Sequence, residues 1–342
     1  MEEGELVSSG SFRVDRKRAL ELLARFQLED ARLFILPWLR CAVASGASEL
    51  SLAPSYGSLE LRFNGRPFNG AELADPYACL FTEDDPALRR NRELALGLLA
   101  LLRLEPAPIL IVSGPAQGRV QLIVESLERE RISLVRGLDE GTVIRVEQGG
   151  NRVPVWGSAS DSALSRSLAL CPLVVRSAGS AVAVPKAPAG PWLAKIESRS
   201  LRGWVAPPED AGGTSFVETH ALGVRVGRQG FRGPRVPFSA GLNDDRFKLN
   251  ASQSSVVQDE IWAAAVRRAG RSAERLLLRA LAEQGPRMEE VSRLLTERWA
   301  LELWRKSLGG SGEGSPGALK PARGLLGAAA RRIGGALGPS RE

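Results

Sequence analysis

Apolar and polar positions along this chain fall into two rhythms, helical spacing early and strand alternation later. From Asp15 the apolar pairs Ala19-Leu20 and Leu22-Leu23, closing on Phe26, recur with helical period, and Asp15 stands where an N-cap belongs. A second helical stretch runs from Ala31 to Ser45 and is ended by Gly46. Two short alternating runs, Glu49 to Ala53 and Ser58 to Phe63, read as strands separated by the turn formers Pro54 to Gly57. Residues 71–91, rich in Asp and Pro, read as loop and short helix. Arg92 to Leu104 is a strongly apolar helix, which Glu105-Pro106 ends because the residue before proline disfavours the helical region. Ile109 to Ser113, Arg119 to Glu125 and Gly141 to Glu147 then read as strands.

Helices early and strands late predict an α+β sandwich with a mixed or antiparallel sheet rather than a doubly wound parallel one. A second, smaller α/β domain is expected from about residue 155. It has a helix over Ser158 to Ala169, strand-like runs at Leu173 to Arg176, Ala181 to Val184, Ala194 to Glu197, Gly203 to Ala206, Ser215 to Thr219 and Gly223 to Gly227, and a helix from Val256 to Leu281 capped by Ser254 or Ser255. The chain therefore divides into a polar leader (1–10), a first domain (11–154), a second domain (155–281), a C-terminal helix (282–307, with Met288 to Leu303 amphipathic) and a Gly-rich basic tail (308–342) expected to be disordered. Within the tail, Leu319 to Leu337 has the makings of a small basic amphipathic helix, which four glycines oppose.

Composition narrows the class. With 342 residues, 44% apolar and 25% charged, the chain is long enough for two globular domains. No apolar run reaches the length of a membrane span and the first residues are acidic, so the expected compartment is the cytoplasm. Cys41, Cys79 and Cys171 are isolated and lack metal-ligand spacing, and the single histidine, His220, reads as a solvated residue after a strand. The net charge of +7 arises in the C-terminal third, where Arg225, Arg228, Arg232, Arg235 and the run Arg267, Arg268 and Arg271 interleave with Phe231. That pattern admits a nucleic-acid partner, although a solvated loop and helix face is the plainer reading.

Four segments in order carry a family resemblance. They are Leu39-Arg-Cys-Ala-Val-Ala-Ser-Gly-Ala-Ser-Glu-Leu, Leu59-Glu-Leu-Arg-Phe-Asn-Gly-Arg-Pro-Phe, the helix opening Arg92-Glu-Leu-Ala-Leu-Gly, and Gly141-Thr-Val-Ile-Arg-Val. Together they resemble the GHKL superfamily of Bergerat-fold ATPases, closest to its ninety-kilodalton heat-shock chaperone and MutL branches. The resemblance spans residues 11–150 and implies helices on one face of a mixed sheet. Residues 155–281 look like the second domain of the same branches, with Phe247 to Asp259 as the matching stretch. There the family can send a lysine to the γ-phosphate, and Lys248 is adjacent to that position.

The resemblance also implies what should be present. A helical carboxylate polarises the attacking water, and an Asn four residues on, hence on the same helical face, holds Mg²⁺. If Cys41 takes the place of that Asn, Pro37 takes the place of the carboxylate. Proline has no proton acceptor, and a neutral thiol is a poor ligand for a cation that prefers oxygen. In the second motif Phe63 stands for the adenine-anchoring Asp, Gly65 is kept and Pro67 replaces the second glycine, while Asp84 to Asn91 supplies no glycine-rich lid. Thr142 matches the late threonine near the base.

The reading that follows is a pseudo-ATPase acting as a protein-interaction or chaperone-like scaffold with a protein partner or client. Cys41, Asn64, Gly65 and Thr142 form its candidate remnant nucleotide cleft; no catalytic residue, metal site or cofactor is expected. ATP with Mg²⁺ is the alternative ligand, in an ATPase whose relocated base is Glu29 or Asp30, two helical turns before Pro37. The second alternative is nucleic-acid binding through the basic C-terminal third.

Overall fold

The computed structural model describes residues 15–26, 28, 30–82, 85–137, 140–147, 164–184, 192–208, 214–231 and 236–282. The protein is α+β, as expected, and its described residues form one eight-stranded and one five-stranded sheet, both mixed. By contacts it divides into two units, the first taking in residues up to 185 together with 222–225 and 249–255, the second the remainder. The leader, residues 158–163, the segment Met288 to Leu303 and the tail lie outside the described residues.

In the first unit the chain opens with α1 (Arg16–Phe26), whose Asp15 carboxylate accepts the Arg18 N–H at 3.1 Å as an N-cap should. A 3-10 turn (Ala31–Phe34) feeds α2 (Ile35–Ala44). Pro37 is accommodated because it falls in the first turn of α2, where backbone N–H groups have no partner within the helix. β1 (Glu49–Ser55) and β2 (Ser58–Phe63) form a hairpin closed by Tyr56-Gly57. It is tighter than expected, since Pro54 pairs with Leu59 inside β1. Then come α3 (Gly70–Ala74) and α4 (Arg89–Leu102), which begins three residues earlier than the apolar run indicated.

β3 (Ile109–Gly114), β4 (Arg119–Ser126), β5 (Arg129–Val135), β6 (Gly141–Glu147), β7 (Val174–Ser177) and β8 (Ser180–Ala181) complete the sheet. Its order is β5-β4-β3-β6-β2-β1-β7-β8. β7 joins parallel to β1 and the other neighbours are antiparallel. Register aligns Leu52, Leu61, Ile144, Ile111 and Leu122 in one row across five strands. Alternation of side chains puts that row on one face, and all five are buried with Leu20, Trp38, Leu39, Leu94 and Leu98 of α1, α2 and α4 in a single core. The adjacent row on the same face runs Leu50, Phe63, Thr142, Ser113 and Val120, so two hydroxyls sit side by side in an otherwise apolar layer.

The second unit contains β9 (Ala194–Glu197), β10 (Leu201–Ala206), β11 (Ser215–Ala221), β12 (Val224–Phe231) and β13 (Ser239–Asp244), in the order β12-β11-β13-β10-β9. α5 (Glu260–Ala282) packs on β9 and β10 through Trp262, Ala265, Ala269, Ala273 and Leu276, a helical stripe whose small residues allow close approach. Trp262 meets Phe231 and Phe247 edge to face, at centroid separations of 6.4 and 6.0 Å. α5 begins four residues later than periodicity suggested. Its cap is Asp259, whose carboxylate accepts the N–H groups of Ile261 and Trp262 at 3.0 Å, rather than Ser254 or Ser255. His220, expected to be solvated, is instead 1% exposed inside β11.

Candidate functional site

α2 and α4 cross at the centre of the first unit, and the residues on their shared line decide what lies between them. Gly97 of α4 leaves room for the Trp38 indole, because a Cβ there would stand 2.3 Å from the indole nitrogen; the indole N–H donates to the Leu94 carbonyl at 3.3 Å. Two residues beyond Trp38 along α2 stands Arg40, a charged side chain 1% exposed. Its Nε donates to Glu93 Oε2 of α4 at 2.8 Å, and its second terminal nitrogen donates to Gln253 Oε1 at 3.1 Å. Burial pushes the Glu93 carboxyl up from the ordinary range, against the pull of Arg40.

Gln253 is presented by the loop 249–255. Asn250 organises that loop: its side-chain carbonyl accepts the N–H groups of Ser254 and Ser255 at 3.0 and 3.2 Å, and its backbone carbonyl accepts that of Gln253 at 3.0 Å. Gln253 itself adopts φ 54°, a left-handed conformation seldom taken by side-chain-bearing residues. Arg40, Glu93 and Gln253 thus form a closed polar set within an apolar layer.

Cys41 follows Arg40 and is fully buried, with its thiol pushed upward by desolvation and by the Glu93 charge, so it is held neutral. Asn64 and Gly65 lie in the turn after β2, against the C-terminal end of α2. The Asn64 side-chain carbonyl accepts the N–H groups of Ser48 and Glu49 at 2.8 and 3.1 Å, and its amide donates to the Ser48 hydroxyl at 2.8 Å. Gly65 has φ +98°, and a Cβ would stand 2.7 Å from the Ser45 carbonyl oxygen, which accepts the Arg66 N–H at 2.8 Å.

Thr142, on β6 opposite Phe63, shares a hydrogen bond of 2.7 Å with the Ser113 hydroxyl, which also accepts the Phe68 N–H at 2.8 Å. Arg90, 3% exposed, closes the turn from the α4 side. It donates to the carbonyls of Arg66 and Pro67 at 2.7 and 3.1 Å, ion-pairs with Glu72 and lies 4.3 Å from the Phe68 ring centroid. Asn64 and Gly65 are therefore brought to the end of α2, and Thr142 to the buried side of the same turn through Ser113 and Phe68. Phe63 and Phe68 are 2% and 1% exposed and belong to the core. The polar groups of this neighbourhood are engaged with one another, which suits holding a turn and a helix pair together; none is an exposed nucleophile or general base.

The remaining candidates lie elsewhere. Asp30 caps the 3-10 turn and pairs with Arg32 at 2.8 Å, and Glu29 is outside the described residues. Lys248 is exposed. Of the basic C-terminal residues, Arg228 stacks 4.4 Å from the Phe216 ring, Arg267, Arg268 and Arg271 are exposed on α5, and Arg232 and Arg235 are outside the described residues. An open cleft of roughly 770 Å³ lies between α1, the end of α4 and the β4–β5 hairpin. Lys17 and Glu128 pair at 2.7 Å on its wall, so its charges answer each other. No group of three or more metal-ligating side chains occurs among the described residues, and none of their helices is long and apolar enough to cross a membrane.

Sequence reasoning missed Arg40, Glu93, Arg90 and Gln253. The first three carried a signal, being charges inside helical runs whose other faces are apolar; Gln253 carried none. Compared with known proteins, the chain matches no family model and no curated protein.

Proposed function

We propose that the chain is a Bergerat-type pseudo-ATPase of the GHKL kind, working in the cytoplasm as a protein-interaction or chaperone-like scaffold without ATP turnover. The observation that carries this reading is the closed set on α2 and α4. At the helical position where the resemblance asks for a metal-holding Asn stands a buried, neutral Cys41, and beside it Arg40 is held by Glu93 and Gln253. A guanidinium buried to 1% exposure and held by a carboxylate and an amide is out of reach of a phosphate arriving from solvent, and Pro37 offers no base. The α+β frame, the glycine-bearing turn after β2 and the buried Phe63 support the same reading.

Isothermal titration of the full chain with ATP and Mg²⁺ tests it. No saturable heat at micromolar nucleotide and no phosphate release are expected. Micromolar affinity accompanied by phosphate release overturns the reading in favour of an ATPase with relocated groups.

A further inference from the structure

The eight-stranded sheet ends at β5, so the outer N–H and C=O groups of this seven-residue strand have no neighbouring strand among the described residues. Edge strands are ordinarily short, charged or covered, because a bare one invites another strand. The helical layer that buries Val120 and Leu122 on β4 thins over β5, where α3 still touches the strand but leaves part of it bare. Leu134, opposite Val120, is 80% exposed, and Ile132, opposite Leu122, is 45% exposed. Glu130 precedes these two on the same face, and Arg136 follows them at the same two-residue spacing.

We propose that β5 pairs antiparallel with β5 of a second copy of this chain about a two-fold axis at Ser133, joining the two sheets edge to edge. In such a symmetric pair facing residues have numbers that add to twice the central one, and paired side chains stay on the same face. With Ser133 at the centre, Ile132 faces Leu134 of the second copy, and Glu130 faces its Arg136, each contact occurring twice. The neighbouring registers fail. Centring on Ile132 sets Glu130 against Leu134, and centring on Leu134 sets Ile132 against Arg136. Arg136 is exposed and forms no salt bridge to another described residue, and Glu130, half-buried near Asp75 and Arg16, forms none either, whereas Arg131, on the opposite face, is tied to Glu125 within its own hairpin. Apolar exposure and opposite charge therefore agree on one register, and the strand is complementary to itself.

Sedimentation of the full chain over a concentration series, combined with Ser133→Cys under mild oxidation, tests the pairing. Facing residues in antiparallel strands lie about 4.5–5.5 Å apart at Cα, inside the disulfide range. The parent chain is the background for its own thiols. A dimer is expected, together with a rapid intermolecular disulfide for Ser133→Cys and none for Arg129→Cys, which the register carries away from its symmetry mate. Leu134→Lys is expected to weaken the dimer by at least about tenfold. Arg136→Glu does the same, and adding Glu130→Lys to it restores association. Far-UV circular dichroism and the melting temperature show that each variant is folded. A chain that stays monomeric, with Ser133→Cys cross-linking no faster than Arg129→Cys, overturns the proposal, as does a monomer whose β5 edge takes up an unrelated extended peptide instead.

Discussion

Arg40 and Glu93 meet at 2.8 Å between α2 and α4, with side-chain exposures of 1% and 10%, and a glutamine 213 residues away completes the set. Taking two charges out of water costs several kcal/mol per ion, so such a pair is tolerated only when each partner is fully answered. Removing either one should therefore cost far more than removing both. Arg40→Met or Glu93→Leu alone is expected to destabilise the chain by about 3–5 kcal/mol, and the double variant by much less, even stabilising it. Gln253→Ala should cost about 1–2 kcal/mol for its single bond to the guanidinium. Urea unfolding of the four variants checks the order; additive losses for the two charges would contradict it.

Gly97 is an odd residue for the middle of a buried helix, since alanine there would ordinarily gain about 1 kcal/mol of helix propensity. The Trp38 indole reverses that sign. Gly97→Ala is expected to lose about 1–3 kcal/mol through overpacking, and to recover part of it when combined with Trp38→Leu. Thermal unfolding of the single and double variants measures the coupling.

Ser113 and Thr142 share one hydrogen bond, but only Ser113 also answers a backbone donor, the Phe68 N–H. Ser113→Ala orphans that buried N–H and should cost about 1–3 kcal/mol, whereas Thr142→Val, which leaves the Ser113 hydroxyl its second partner, should cost less. A double-mutant cycle by chemical denaturation gives both numbers. Equal losses would mean that the Phe68 contact contributes nothing.

Burial, with Asp75 nearby, raises the Glu130 carboxyl to about 7, and Arg16 opposes the shift. Between the ordinary carboxylate range and that value the folded chain holds a proton that the unfolded chain has released. Stability from this group is therefore present at the acid end of the window and lost as pH rises towards 7. Asp75, Arg16 and Tyr77 are the groups that sense Glu130. Glu130→Gln should flatten this part of the pH–stability profile relative to the parent, and unfolding midpoints at several pH values between 4 and 8 test it. A parallel pair of profiles would show that Glu130 titrates normally.

Much of the fold was legible because it is local. The helical spacing around Leu20, Trp38 and Leu98, and the alternation through Leu59, Leu61 and Phe63, are set by residues two to four positions apart, and the elements formed where that spacing placed them. β5 was missed because Arg129, Glu130 and Arg131 break its alternation, and β13 because its residues are buried on both faces and do not alternate. The late start of α5 was misjudged because Ser254 and Ser255 are engaged by Asn250, leaving Asp259 to cap the helix. His220 was misjudged because its strand extends to Ala221, so that it lies within β11 rather than after it, with its side chain 1% exposed.

By itself the sequence determined the α+β order of elements and the absence of Asp, Asn and Glu side chains from positions 37, 41 and 63. Both follow from residue identity and short-range periodicity. Only the tertiary structure decided that Arg40 is satisfied by Glu93 and Gln253, that Asn64 braces Ser48, that Thr142 meets Ser113, that β7 enters beside β1 and that β5 stands at the edge. Each is a contact between chain segments that periodicity treats as independent, selected because a buried charge, hydroxyl or strand edge must find its partner wherever the packed chain brings one.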